Sequence, residues 1–104
     1  MTPPSTIKIG PFRYAVTVDA RKPDDCDENC TGHIVTHKQT IWVEANQGSD
    51  QMADTLLHEV LHGCWFLSAG SDDGDDEKFI VRVSSVLLGV LRDNPNLVTF
   101  LVGD

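Results

Sequence analysis

The sequence predicts an α+β fold in which a small antiparallel or mixed sheet precedes a central helix and a second long helix. Three observations predict it. Residues 7–45 carry β-branched and aromatic side chains in short, partly alternating runs. Residues 52–67 and 76–92 place apolar side chains at helical spacing. The strand-like runs all come before the helical ones, so the order does not suggest an alternating βαβ fold.

Each element has a local justification. Runs 7–9 and 12–18 flank Gly10-Pro11, a pair that breaks a strand, and Phe12, Tyr14, Val16 and Val18 alternate along the second run. The stretch ARKPDDCDENCTGH at 20–33 is polar and turn-rich, which predicts a surface loop. Ile34 and Val35 begin a third strand, and QTIWVEA at 39–45 makes a better one with Ile41 and Val43 on one face. Ser49 or Asp50 is placed to cap the next helix, because a side-chain oxygen there satisfies free N–H groups of the first turn. Within 52–67, Met52, Ala53, Leu56, Leu57, Val60, Leu61 and Cys64 cover more than one face, so this helix is expected to be central, with Cys64 as a buried apolar filler. AGSDDGDD at 69–76 reads as a loop, Asp93-Asn94-Pro95 stops the second helix, and 96–102 forms a last short helical turn.

At 104 residues the chain is read as one domain, 1–104. The formal charge of −8, with Lys+Arg 8, argues against nucleic acid and against an anionic membrane surface. The N-terminus MTPPSTIKIG lacks the basic and apolar regions of a secretory signal, and VSSVLLGVL is too short to span a bilayer, which takes ~20 residues. With Cys 3, an odd number, a reducing cytoplasm is the simplest expectation.

The chemistry is concentrated in HEVLH at 58–62. His58 and His62 are one turn apart on a single helix face, so both imidazoles reach one Zn²⁺. Glu59 then lies beside the metal, where a carboxylate takes the proton of a zinc-activated water during attack on a carbonyl. Residue types and spacing match the zinc-peptidase motif H-E-x-x-H. The bland alternative is a His-Glu-His trio on the surface of a structural helix, but titratable groups on a central helix are costly unless something satisfies them. The longer metzincin motif is absent, because Trp65 and Ser68 stand where it needs glycine and histidine.

QTIWVEANQGSDQMADTLLHEVLHGCWF, followed by DDEKFIVRVSSVLLGVLRDNP, resembles the minimal single-domain zinc metallopeptidases of the gluzincin type encoded by phages and prophages. The resemblance covers about residues 39–96. It implies a short sheet beside the motif helix and a third zinc ligand on the following helix, at Glu77. It also implies a phage protein acting in the host cytoplasm or carried with the particle, with a phage or host protein as partner.

The third ligand is where two arguments part. Asp72, Asp73, Asp75, Asp76 and Glu77 all follow the motif, and most of them are expected to be solvated loop or cap charges. On the second helix the apolar stripe is Phe79, Ile80, Val83, Val86, Leu87, Val90 and Leu91, and Asp76 points along its middle while Glu77 lies to one side. Burial therefore favours Asp76. Glu77 has the longer reach, the small Ser84 on its side permits close helix approach, and the resemblance selects it. Glu77 is taken as the ligand, with Asp76 as rival.

Other candidates are less specific. Cys26, Cys30, His33 and His37 form C-x₃-C-x₂-H-x₃-H, which suits a second zinc or a redox-labile Cys26–Cys30 pair, but the spacing fits no common finger and the leading reading is unligated surface residues. Tyr14, His33, His37 and Arg82 each have the chemistry to stabilise an oxyanion. Trp42 and Trp65 read as packing residues. The strand at 39–45 is expected to be an edge that pairs with an extended peptide.

The reading is a zinc-dependent peptidase acting on a peptide or protein substrate. The metal ligands are His58, His62 and Glu77, and the catalytic base is Glu59. The alternative is a non-catalytic, zinc-stabilised structural or adaptor module of a phage particle, which would not need Glu59. A zinc hydrolase of cell-wall peptides is disfavoured by the lack of a secretion signal.

Overall fold

The computed structural model describes residues 2–69 and 75–103. Its elements follow the predicted order: β1 (Thr6–Ile9), β2 (Phe12–Asp19), β3 (Gly32–Val35), β4 (Thr40–Glu44), α1 (Ser49–Ala69), α2 (Asp75–Asp93) and α3 (Pro95–Val102). The fold is α+β. Much of the predicted 69–76 loop, with Asp72 and Asp73, falls outside the described residues, as does the Asp75 side chain. None of the described helices is long and apolar enough to cross a membrane.

Gly10, at φ +58°, turns the chain between β1 and β2 so that Ile9 pairs with Phe12. A two-residue hairpin turn needs such a φ, which glycine adopts without strain. The acidic stretch after β2 carries the chain to β3. A 3-10 turn at Thr36–Lys38, ended by Gln39 at φ +55°, then reverses it into β4. The sheet order is β1-β2-β4-β3, with β2 and β4 parallel and the outer pairs antiparallel. This corrects one expectation. The strand containing Ile41 and Val43 lies inside the sheet, and the edge on that side is β3.

Ile41 and Val43 are fully buried and form the core with Ile9 and Tyr14. Met52, Leu56 and Val60 of α1 pack against them at helical spacing. Gly63 continues that line, and a Cβ there would lie 2.7 Å from Ile9 Cδ1, so glycine lets the helix sit close to the sheet. Cys64, one residue on, is rotated ~100° away. It is exposed rather than buried, contrary to expectation. Phe12 and Val18, near the ends of β2, also remain exposed. Trp42 is a packing residue on the opposite face of β4, its Nε1 donating to the Asp19 carbonyl at 3.1 Å.

The helix α1 begins one turn earlier than its apolar pattern. The Met52 N–H donates to the Gly48 carbonyl at 2.8 Å, so Ser49 and Asp50 are first-turn residues, not caps. On α2 the inward line is Asp76, Ile80 and Ser84. Phe79, Val86 and Val90 belong to the predicted stripe yet are exposed, although Phe79 packs on Trp65 with ring centroids 5.7 Å apart. Pro95 opens α3 at its first turn, where a missing N–H costs nothing.

Candidate metal centre

The face of α1 next to its sheet-facing line carries Thr55, Glu59 and His62, with His58 alongside. Packing of α2 on this helix brings Glu77 across from both histidines. The Glu77 carboxylate reaches His58 Nε2 at 3.0 Å through one oxygen and His62 Nε2 at 2.8 Å through the other. The two Nε2 atoms are 3.1 Å apart. Four tetrahedral ligands at zinc distances of ~2.0–2.1 Å would sit ~3.3 Å from one another, so the observed spacing converges on one ion-sized point. Among the described residues, His58, His62 and Glu77 form one of two groups of His, Cys, Asp or Glu able to hold a metal. The histidines are partly covered, whereas the Glu77 side chain is 56% exposed, so the centre opens to solvent on that side.

Asp76 does not enter this group. Its buried carboxylate lies 2.9 Å from Nδ1 of His62. A carboxylate accepts, so Nδ1 donates its proton there, which would leave the Nε2 lone pair for an ion held between His58, His62 and Glu77. The burial argument and the reach argument therefore both describe real features: Asp76 is the buried carboxylate, and Glu77 the one facing both histidines.

Glu59 is 7% exposed and sits between the cluster and β3. Burial pushes its carboxyl above the usual carboxylate range; His58 and His62 pull it back, and Glu77 adds to the rise. Gly32 of β3 lies against it. A Cβ on Gly32 would be 2.5 Å from Thr55 Cγ2 and 3.2 Å from Glu59 Cγ. This contact was not foreseen, and the only sequence signal for it is an isolated glycine at the start of a strand. Thr55 is also buried, donating to Gln47 Oε1 at 3.1 Å, which ties α1 to the turn preceding it.

These residues line an open cleft of about 670 Å³ that runs from β3 to α2. Of the four oxyanion candidates only His33 lines it. Tyr14 belongs to the core, and burial raises its hydroxyl above the usual value. His37 lies on the 3-10 turn beside a separate cavity of about 270 Å³, and Arg82 is exposed on α2. The expectation for the cysteines also changes. Cys26 and Cys30 form a disulfide and are grouped with His33, while His37 stands apart.

No protein-family model, curated protein or solved structure matches the chain. An α+β fold whose HEVLH helix and following helix bring His58, His62 and Glu77 together is consistent with an H-E-x-x-H zincin-like centre.

Proposed function

We propose that the chain is a minimal zinc-dependent peptidase. The observation that carries this reading is the meeting of two histidine Nε2 atoms and the Glu77 carboxylate at a common point, with the buried carboxylate of Glu59 beside them. A purely structural site needs the first feature but not the second.

His58, His62 and Glu77 would supply N, N and O donors to the ion, a set suited to catalytic zinc, and the Glu77 side of the group is open to solvent. When bound there, zinc supplies a Lewis acid for the scissile carbonyl and the attacking water. Asp76 fixes the His62 ring and its tautomer. Glu59 accepts a proton from the attacking water and delivers it to the leaving amine nitrogen; its burial raises its basicity for that role. The edge strand β3, beside Glu59, offers backbone groups to an extended peptide. The substrate is thus a peptide or a protein segment in extended form. A phage origin, and a phage or host protein as partner, rest on the resemblance of residues 39–96.

Elemental analysis of protein made with zinc available, together with cleavage of a peptide library by wild type and Glu59→Gln, tests the proposal. One zinc per chain, retained in Glu59→Gln while cleavage is lost, is the expected result. Absence of zinc overturns the metal centre, and equal cleavage by Glu59→Gln overturns the role of Glu59. Zinc without cleavage of any peptide favours the structural module.

A further inference from the structure

The acidic stretch between β2 and β3 is ordered by its own hydrogen bonds. The Cys26 N–H donates to the Pro23 carbonyl and the Cys30 N–H to the Asp27 carbonyl, each at 3.1 Å. Asp27 Oδ1 accepts from the Asn29 N–H at 3.0 Å, and Lys22 Nζ donates to the carbonyls of Asp27 and Glu28. Two consecutive turns thus place both sulfurs on the same side of the loop.

His33 comes to them from a rigid element. It pairs with Trp42 in the β3–β4 register, and partners in such a pair point to the same side of the sheet. Ile41 and Val43, the neighbours of Trp42, face α1, so His33 leans away from the His58–His62–Glu77 centre. Ligand atoms of Cys26, Cys30 and His33 all lie within 4.8 Å of one another. Asp25 Oδ2 stands 3.1 Å from His33 Nε2. A ring nitrogen engaged by a carboxylate is how a ligating histidine is commonly oriented. The arrangement repeats, with sulfur in place of oxygen, the one around His62.

We propose that reduction of the Cys26–Cys30 disulfide creates a second metal site at the rim of the cleft, with Cys26, Cys30 and His33 as ligands and Asp25 as the positioning residue for His33. Two equivalents of a thiol reductant, or one of a dithiol, supply two electrons and two protons. The S–S bond breaks, two thiols form, and the reductant leaves as its own disulfide. A divalent cation then displaces the two thiol protons to solvent and bonds both thiolates. Two sulfurs and an imidazole select a borderline-soft ion such as zinc over magnesium or calcium. The cross-link spans a sequence separation of only four, so it restrains little chain entropy and leaving it open costs the fold little. Cys30 and His33 also contribute to the wall of the cleft that holds Glu59 and Glu77, so the second cation would lie at its rim, across β3 from the first centre.

Cobalt(II) titration distinguishes the two centres, because only a thiolate site gives a sulfur-to-cobalt charge-transfer band. The protein used is His62→Ala, in which the first centre is disabled, treated with a phosphine reductant or left oxidised. The reduced protein should bind one cobalt with the band, and the oxidised protein should show no band. Cys26→Ser/Cys30→Ser should lose the band while keeping its far-ultraviolet circular dichroism, and His33→Ala, which retains both thiols, should bind cobalt at least about tenfold more weakly. A reduced protein without the band at stoichiometric cobalt overturns the proposal. So does a band that survives in Cys26→Ser/Cys30→Ser, since it would belong to Cys64. Neither result bears on the first centre, whose ligands contain no sulfur.

Discussion

Asp76 and His62 form a buried carboxylate–imidazole pair, 2.9 Å apart, behind the nitrogen that faces Glu77. The two consecutive acidic residues at the start of α2 therefore have different tasks. One faces the ion position and the other holds a ring that does. Replacing a carboxylate behind a histidine ligand typically costs 10–100-fold in metal affinity, whereas removing a ligand costs more. Zinc competition titrations should accordingly rank the losses as Glu77→Ala above Asp76→Ala, with Asp76→Asn retaining more affinity than Asp76→Ala. The reverse order would make Asp76 the ligand.

Glu59→Gln separates chemistry from binding. Its removal of the proton acceptor should lower turnover by about 10²–10⁴-fold with zinc content unchanged. The same variant reports on the buried charge. A carboxyl whose folded pKa is raised binds more protons in the folded state than in the unfolded one between the two values, so stability falls as pH rises through that window. Metal-free Glu59→Gln should thus be more stable than metal-free wild type at neutral pH, by on the order of 1 kcal/mol. The gap should close as pH falls below the ordinary carboxylate range, as denaturant midpoints at several pH values would show.

Zinc itself should act as a stabilising ligand. The centre joins α1 to α2 across a segment with few apolar residues, so chelation should lower the melting temperature and zinc restore it. His58→Ala and His62→Ala should melt near the chelated wild type and gain nothing from added zinc. A melting temperature indifferent to chelator would contradict metal binding at this place.

Much of this was legible in the sequence because it depends on local spacing. Alternation predicted the strands and helical spacing the helices, and His58 with His62 needed only a helix to share a face. What required long-range contacts was not legible. Whether the strand with Ile41 and Val43 lies at the edge depends on where β3 pairs, and nothing local encodes that parallel β2–β4 neighbours leave β3 outermost. The orientation of α2 was partly misjudged for a related reason. Its apolar residues span a face wider than the contact available, so Ile80 is taken inward and Val86 left out. Cys64 was misplaced because Gly63 holds the position facing the sheet.

That orientation has a direct consequence for stability. Ile80 is 1% exposed and Val86 67% exposed. Ile80→Ala should cost about 2–5 kcal/mol through lost burial and a residual cavity, whereas Val86→Ala should stay within about 0.5 kcal/mol. Urea midpoints of the two variants, compared at equal slope, measure the difference.

Gly32 brings the edge strand against Thr55 and Glu59. Gly32 is in extended backbone, so alanine there meets no φ restriction and any cost comes from contact alone. Its Cβ would fall 2.5 Å from Thr55 Cγ2, 3.2 Å from Glu59 Cγ and 3.3 Å from Glu59 Oε2. Thr55 has little freedom to yield, being β-branched, buried and hydrogen-bonded to Gln47. The edge strand must therefore move outward, and Glu59 must turn wherever that shift does not clear it. Overpacking of this kind costs about 1–3 kcal/mol. If Glu59 is the proton acceptor, Gly32→Ala should also reduce turnover more than zinc affinity, because His58, His62 and Glu77 are not touched. Thr55→Ala removes the 2.5 Å contact but not those with Glu59. In the double variant stability should largely return while activity stays low. Recovery of both together would show that β3 had merely been displaced, and that the position of Glu59 beside Gly32 does not matter to the reaction.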